Sequence, residues 1–238
     1  METIGIVVAM DEELDAIKKV LNNKETKIIN KVEYIVGTIW NNNCVILKSS
    51  IGKVNAARST QIMIMEFKPK YIINIGIAGG INEDLKLKDV IRAKYVVQHD
   101  FDITAFEHKK GYISNIGDNI ECDTDIVKEL EKVLDKEYNL RSGIVATGDV
   151  FCTKKEMKEE ILKEFNADVV DMECGAIAQV CYLEKIPFVA IKCISDIPNG
   201  NNVITFDENI NVASKRCAEI LSKFLKNWKE IYLYEWKN

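Results

Sequence analysis

Residues 169–181 read VVDMECGAIAQVC, an apolar run that passes through two acidic residues into a segment of small residues. The part VVDM predicts a buried strand, and the part after it predicts a closely packed helix over residues 174–184. Glu173 stands where the strand gives way to the helix. Because a carboxylate there is unfavourable unless it is paired or faces a ligand, we favour a ligand role for Glu173. Its two acceptor oxygens suit a vicinal diol, such as that of a ribose.

Apolar strands and helical segments alternate in the same way along the whole chain. Further strands are predicted at residues 3–9, 32–39, 44–49, 71–75, 90–98, 143–147 and 188–195. Helices are predicted at 54–67, 154–164 and 207–226, and after a capping Asp11, with apolar positions Leu14, Ile17 and Leu21. Asn41-Asn42-Asn43 predicts a hairpin turn, and an aromatic tail that could extend the last helix contains Trp228, Tyr232, Tyr234 and Trp236. This order is typical of an α/β fold whose mixed or mostly parallel sheet is covered on both faces.

Composition narrows the class of protein. The 238 residues carry a net charge of −5, which argues against a nucleic-acid-binding face. No window approaches the roughly 20 apolar residues of a membrane span, and the N-terminus lacks the features of a signal peptide, so we expect a cytoplasmic protein. The seven cysteines are irregularly spaced and predict buried free thiols. With no linker or repeat, we expect a single domain over residues 1–238.

Polar clusters follow four of the predicted strands. They are the acids after Met10, the glycine turn predicted at residues 76–80, the Asp171–Glu173 segment, and the pair Ser195-Asp196. Ligands of such folds bind beyond the carboxyl ends of the strands, so these clusters are expected to converge on one site.

Each cluster also has a plain structural interpretation. Acids in a first helical turn interact favourably with the helix dipole, and only an inward-pointing Glu13 would act as a base. The glycine segment is as consistent with a tight turn as with a ligand site. Asp196 could cap a helix, or it could be a carboxyl in an apolar pocket that donates a proton. Lys192, four residues earlier on the strand, is expected on the same side as Asp196.

Several other kinds of site lack support. The glycine segment is not the dinucleotide fingerprint G-x-G-x-x-G, and Lys53 in IGKV lacks the rest of a phosphate-binding loop. His99-Asp100-Phe101-Asp102 does not have the spacing of a metal site, and no nucleophile elbow is present. We therefore expect no metal and no cofactor.

Seven motifs, taken together and in order, resemble one family. They are AMDEE (9–13), KSSIGKVNAA (48–57), INIGIAGG (73–80), HDFDITAF (99–106), TGDVF (147–151), VDME (170–173) and ISD (194–196). The set resembles the 5′-methylthioadenosine/S-adenosylhomocysteine nucleosidases of the nucleoside phosphorylase superfamily, over about residues 3–224.

The resemblance implies a three-layer α/β/α sandwich with a central mixed, mostly parallel sheet, usually in a homodimer. It also implies a hydrolase that releases adenine from a nucleoside. Glu13 would activate water, and Asp196, helped by Ser195, would protonate N7 of the purine. The residues expected to bind substrate are Met172 and Glu173 at the ribose, Phe151 and the Cys152 backbone at the purine, Met10, Ile51 and Phe206 at the 5′-alkylthio group, and Ile103 and Phe106 in the neighbouring subunit's site.

Three positions depart from the family pattern. Ile77 replaces the usual Ser or Thr, Lys192 replaces an Arg, and Cys152 replaces an aliphatic residue. Asn74 and Ile77 also stand where the phosphorylase branch has its phosphate-binding arginine and serine, which favours water as the nucleophile. A phosphorylase, a hydrolase of another purine nucleoside such as a futalosine-type compound, and a non-catalytic nucleoside-binding protein remain as alternatives.

Overall fold

The computed structural model describes residues 2–138 and 140–228, without the side chains of residues 135–137. Its strands are Thr3–Val8 (β1), Asn22–Ile29 (β2), Val32–Ile39 (β3), Asn42–Lys48 (β4), Tyr71–Gly80 (β5), Val90–Gln98 (β6), Ile120–Glu121 (β7), Arg141–Thr147 (β8), Val169–Asp171 (β9) and Phe188–Asp196 (β10). Its helices are Asp11–Lys18 (α1), Lys53–Phe67 (α2), Thr124–Tyr138 (α3), Lys155–Phe165 (α4), Cys174–Leu183 (α5) and Asn202–Lys226 (α6), with a 3₁₀ turn at Thr104–Phe106.

The strands form one mixed sheet in the order β10-β6-β8-β9-β5-β1-β4-β3-β2. Strand β10 also pairs with β5, so part of the sheet closes on itself. The pairings at its centre, β4–β1, β1–β5 and β5–β10, are parallel. Ile6, Ile73 and Val189 lie side by side across these strands, and all three are fully buried. The predicted α/β class is confirmed, and the carboxyl ends of β1 and β10 lie at the same edge of the sheet.

The glycine segment differs from the prediction. Residues 76–80 are not a turn but the second half of β5, and every residue of this strand is buried. Small residues are needed there because neighbours approach closely. Gly79 and Gly80 pair with Val170 and Val169 of β9, and a Cβ atom on Gly80 would lie 2.8 Å from the Ile197 side chain.

Strand β2, the two-residue strand β7 and helix α3 were not predicted. Strand β2 has the sequence NNKETKII and is exposed over most of its length, so it lacks the apolar alternation that marks a half-buried strand. It forms by pairing with β3 at the edge of the sheet. Helix α3 follows Asp123, whose carboxylate accepts hydrogen bonds from the N–H groups of Asp125 and Ile126.

Three predicted boundaries were wrong. The hairpin turn is Trp40-Asn41, because Asn42 already pairs with Ile39, and Trp40 has φ 53°. Asp11 is the first residue of α1 rather than its cap, and the cap position is Met10. Leu21 lies beyond the end of α1, although it is buried as expected.

Helix α6 begins at Asn202, five residues before the predicted start, and this extra turn lies beside the site described below. Trp228 packs against Tyr71 and Phe224, whereas Tyr232, Tyr234 and Trp236 lie outside the described residues. All seven cysteines are free and buried, as predicted. None of the helices within the described ranges is long and apolar enough to span a membrane.

Candidate active site

A cavity of about 600 Å³, including its open mouth, lies at the carboxyl ends of β1, β9 and β10, against the glycine half of β5. All but three of the residues predicted for the site line it, together with Ala9, Asn74, Ile75, Gly76, Ala78, Gly79, Val170 and Asp171. The predicted ones are Met10, Glu13, Ile51, Ile77, Phe151, Met172, Glu173, Lys192, Ser195, Asp196 and Phe206. The four polar clusters therefore converge, as their positions at strand ends implied.

Glu13 points inward from the first turn of α1. Its Oε2 accepts hydrogen bonds from the N–H groups of Ala9 and Met10 at 2.8 and 3.0 Å, and its Oε1 accepts one from Ile77 N–H at 2.9 Å. Burial raises the pKa of Glu13, and these N–H donors and the Lys192 charge oppose the rise. A carboxylate held in this way is oriented, poorly hydrated and able to accept a proton.

The carboxylate of Glu13 lies directly against the backbone of β5. A Cβ atom built on Gly76 would lie 2.4 Å from Glu13 Oε1. The backbone N–H of Ile77 donates a hydrogen bond to this same oxygen. The side chain of Ile77 adds apolar surface to the cavity. Glycine at position 76 thus allows the Glu13 carboxylate to reach the strand.

Asp196 is the last residue of β10 and is almost fully buried. Its Oδ1 accepts a hydrogen bond from Ser195 Oγ at 2.8 Å, and its Oδ2 accepts one from Asn202 Nδ2 at 2.6 Å. Burial raises the pKa of Asp196, while the bonds from Asn202 and Ser195 act against the rise. Because no cation pairs with it through these bonds, the carboxyl is suited to hold a proton and release it.

Lys192 does not pair with Asp196, although both line the cavity. The strand has a register irregularity between Ile194 and Asp196, which breaks the simple alternation assumed from the sequence. Lys192 Nζ instead lies 2.7 Å from Asp171 Oδ2, and both side chains are 3% exposed. Burial is the largest influence and acts to lower the pKa of Lys192, but the charge and hydrogen bond of Asp171, together with nearby Cys174 and Glu173, outweigh it, so the pKa is raised.

Asp171 is the centre of a buried network. Its Oδ1 accepts a hydrogen bond from Thr147 Oγ1 at 2.5 Å, and its Oδ2 accepts one from Cys174 N–H at 2.9 Å. The Thr147 hydroxyl also accepts one from Gly175 N–H at 2.7 Å. The network fixes the first turn of α5 against β8 and β9. Glu173 is therefore presented to the cavity from a rigid junction.

Glu173 keeps much of its hydrogen-bonding capacity free. Its Oε1 accepts a hydrogen bond from Gly52 N–H at 2.8 Å. Burial, followed by the nearby charge of Asp171, raises the pKa of Glu173 to about 7. The second oxygen can accept hydrogen bonds from a ligand that carries hydroxyl groups.

Apolar side chains form the remaining wall. Phe151 and Phe206 meet edge to face, with ring centroids 5.5 Å apart. Phe151 is 40% exposed, so a flat ligand could cover its ring. Met10 and Ile51 also line the cavity.

Three predicted residues lie outside this cavity. Cys152 borders a smaller neighbouring space with Phe151 and Asp196, and its carbonyl oxygen accepts a hydrogen bond from Asn202 Nδ2 at 3.0 Å. Phe106 is 75% exposed and Ile103 is half-buried. Neither of these two lines the cavity of its own chain.

Lys53, Asp100 and Asp149 form a separate polar cluster outside the residues that line the cavity. Lys53 Nζ pairs with Asp100 at 2.6 Å, and Lys53 N–H donates to Asp149 Oδ1 at 2.7 Å. Within the described part of the chain, no group of three or more His, Cys, Asp or Glu side chains could hold a metal ion.

Two features of the site were not predicted from the sequence. Asp171 bonds Lys192, Thr147 and Cys174, and Asn202 donates hydrogen bonds to Asp196 and to the Cys152 carbonyl. The position of Asp171 at a strand end was visible, but its partners come from β8 and β10, which are distant in sequence. Asn202 is one of several asparagines around the start of α6, and no sequence pattern distinguishes it from Asn201.

A model of the phosphorylase superfamily matches residues 3–226. The chain is 38% identical over 226 residues to the 5′-methylthioadenosine/S-adenosylhomocysteine nucleosidase of Staphylococcus carnosus (strain TM300), covering 94% of this chain and 99% of the relative. A Streptococcus pneumoniae nucleosidase of the same name, solved with a transition-state inhibitor, superposes with a TM-score of 0.90 at 34% identity, over 94% and 98% of the two chains. A futalosine hydrolase mutant of Helicobacter pylori superposes with a TM-score of 0.93 at 29% identity, over 96% and 100%.

Proposed function

The chain belongs to the phosphorylase superfamily, and from this and the geometry of its cavity we propose an N-glycosyl hydrolase that releases adenine from 5′-methylthioadenosine and S-adenosylhomocysteine. One observation carries the proposal. Two buried carboxyl groups with raised pKa, Glu13 and Asp196, line the same cavity although they come from opposite ends of the chain.

Each of the two groups has a role in the reaction. Asp196 gives its proton to N7 of the purine, and the electron pair of the breaking sugar–nitrogen bond goes to the purine. The sugar carbon becomes cation-like, and Glu173 accepts hydrogen bonds from the ribose hydroxyls. Glu13 takes a proton from water, whose oxygen bonds to the sugar carbon. General acid–base groups of this kind typically contribute about 10²–10⁴-fold each.

The remaining predicted residues complete the substrate site. Phe151 stacks on the purine, the Cys152 backbone reads its edge, and Ser195 supports Asp196. Met172 contacts the ribose, Lys192 occupies the place of a family arginine, and Ile77 occupies the place of a family hydroxyl. The 5′-alkylthio group lies against Met10, Ile51 and Phe206.

Water is a better nucleophile for this cavity than phosphate. Lys192, the cation among its lining residues, is already paired with Asp171 at 2.7 Å. Asn74 donates to Val7 O at 3.1 Å, and Ile77 offers no hydroxyl. A phosphate dianion there would face the carboxylates with little compensation.

A second candidate substrate is a futalosine-type nucleoside. The likeness to a futalosine hydrolase, with a TM-score of 0.93, favours it together with the departure at Ile77. Such a substrate would need the same acid and base but a different fit at the 5′ end.

We also propose a cytoplasmic homodimer that acts in methionine salvage. Exposed apolar side chains support the dimer, since Val54 and Phe106 are 77% and 75% exposed. In the dimer, Ile103 and Phe106 would reach the neighbouring subunit's site. Sedimentation of the protein as a monomer at assay concentration would contradict this assembly.

Product analysis tests the proposed function directly. The protein is incubated with 5′-methylthioadenosine, with and without phosphate, and a parallel reaction contains futalosine. Free adenine and methylthioribose, formed at a rate independent of phosphate, are expected. A sugar 1-phosphate would indicate a phosphorylase, turnover of futalosine alone would indicate the second candidate, and binding without turnover would indicate a non-catalytic protein.

A further inference from the structure

Asn202 is fully buried in the first turn of α6 and makes two hydrogen bonds with the same atom. Its Nδ2 lies 2.6 Å from Asp196 Oδ2 and 3.0 Å from the Cys152 carbonyl oxygen. Because a carbonyl oxygen can only accept, the amide nitrogen and not the amide oxygen must face Cys152. Both hydrogens of this NH₂ group are therefore used, one for each acceptor.

These two acceptors belong to the purine end of the proposed site. In adenine, N7 and the exocyclic amino group lie side by side on one edge of the ring. A purine whose N7 faces Asp196 therefore turns its amino group toward neighbouring acceptors such as the Cys152 carbonyl. The single nitrogen of Asn202 fixes the separation of the two groups that would read this edge.

Asn202 acts from outside the cavity. It is not among the residues that line the cavity, and its exposed fraction is 0%. Phe206, one helical turn later on the same face of α6, does line the cavity. Asn202 thus connects three parts of the site: Asp196, the segment that carries Phe151 and Cys152, and helix α6.

We propose that Asn202 is a positioning residue that acts through Asp196 and the Cys152 carbonyl, holding them as a preset pair for an adenine edge. The proposal rests on the proposed hydrolase function. After Asp196 has given up its proton, the bond from Asn202 stabilises the carboxylate that remains. Proton transfer from a buried acid is thereby made easier.

Among the described residues, no charged group is bonded to Asp196, and Ser195 is the second neutral donor that stabilises its carboxylate. Ser195 donates to Oδ1, and the Cys152 thiol, whose pKa burial raises to about 11, stays neutral near pH 7. Lys192 is paired with Asp171. Loss of the Asn202 donor would leave Asp196 a weaker acid, which predicts a change in the pH profile as well as in the rate.

The test compares Asn202→Ala with Asn201→Ala. Asn201 is exposed and its side chain makes no capping bond, so it is a matched control. For Asn202→Ala we expect kcat for adenine release to fall about 10- to 100-fold, the equivalent of one hydrogen bond to a charged group. The limb on which activity falls with rising pH should move to higher pH, because that limb requires protonated Asp196.

A substrate that needs no acid separates positioning from general damage. A para-nitrophenyl riboside with the same alkylthio group has a leaving group stable as an anion, so Asn202→Ala should hydrolyse it within about 3-fold of the parent rate. Asn202→Asp keeps the shape but replaces the donor by a carboxyl, and its adenine release should recover partly at acid pH, where that carboxyl carries a proton.

The outcomes separate this inference from the proposed function. If the parent protein releases no adenine from any nucleoside, the proposed function is wrong. If the parent is active and Asn202→Ala keeps its kcat and pH profile, the inference is wrong. A lower KM of Asn202→Ala with unchanged kcat would also overturn it, because the amide would then compete with the purine for Asp196 and the Cys152 carbonyl. Equal losses on both substrates would reduce Asn202 to a structural residue.

Discussion

Two strand-to-helix junctions, β9–α5 and β10–α6, each end their strand on a buried aspartate, and the two aspartates have different partners. Asp171 pairs with the Lys192 ammonium at 2.7 Å and also accepts from Thr147 and Cys174. Asp196 accepts from two neutral donors, Ser195 and Asn202. A cation fixes a negative charge in place, whereas neutral donors leave a carboxyl able to exchange a proton. Both aspartates are buried, so burial does not distinguish them. The type of partner does: the ion pair gives Asp171 a structural role, and the neutral donors leave Asp196 suited to proton transfer.

The largest expected effect comes from the junction with neutral donors. Asp196→Asn should lower kcat for adenine release by about 10³-fold, within the range known for general acids, because an amide cannot supply the proton. Thermal unfolding should change little. Asp207→Asn, on the exposed side of α6, is the control. Activity of Asp196→Asn close to the parent value would break the distinction between the two junctions.

The junction with the ion pair should respond in stability. Asp171→Asn leaves the Lys192 charge buried without its partner, and we expect the free energy of unfolding to fall by about 3 kcal/mol. Urea denaturation measures the change. Adding Lys192→Met should restore a large part of the loss, because no unpaired charge then remains. If the single variant unfolds within about 0.5 kcal/mol of the parent, the ion pair is not what holds this junction.

The third expected effect is a pH-dependent one at Glu173. Its pKa of about 7 lies above the value of 4.5 for an unperturbed glutamate, so the folded state favours the protonated form. The contribution of this group to stability is full below about pH 4.5 and is lost as pH rises through about 7. Glu173→Gln, which cannot ionise, should therefore gain stability over the parent of up to about 3 kcal/mol at about pH 8, at about 1.4 kcal/mol per pKa unit, and little at about pH 4.

Thermal unfolding of both proteins across this range provides the measurement. A constant difference between Glu173→Gln and the parent at every pH would contradict the assigned pKa. The same variant should bind ribose-containing ligands less tightly, since an amide presents one acceptor oxygen where the carboxylate presents two.

Sequence patterns predicted the elements whose structure is determined by residues close together in the sequence. Continuous apolar runs predicted most strands within a residue or two, although β5 continues five residues beyond its predicted end, and the ordered motifs indicated the family, which the relatives confirm. Strand β2 was missed because its residues are exposed and its pairing with β3 is the reason it exists. The segment at 76–80 was read as a turn because glycine is common in turns, although here it serves close packing inside a strand.

The candidate site was predictable where a carboxylic side chain lies at or just after the end of a predicted strand, as at Glu13, Glu173 and Asp196. Partner choice was not predictable, because it depends on contacts between residues far apart in sequence. Lys192 was expected beside Asp196, but an irregularity in β10 and the proximity of β9 pair it with Asp171. The roles assigned to the individual site residues stay predictions until the variants above are measured.

The contact between Gly76 and Glu13 has a practical consequence for anyone who redesigns this pocket. A methyl group at position 76 would add no charge and remove no functional atom, yet it would meet the carboxylate 2.4 Å away and force it off its backbone donors. Libraries that include Gly76→Ala as a conservative change should therefore lose active variants, and, under the proposed function, the fit of longer 5′ substituents is better varied at Ile51, which is 53% exposed, or at the partly exposed Met10.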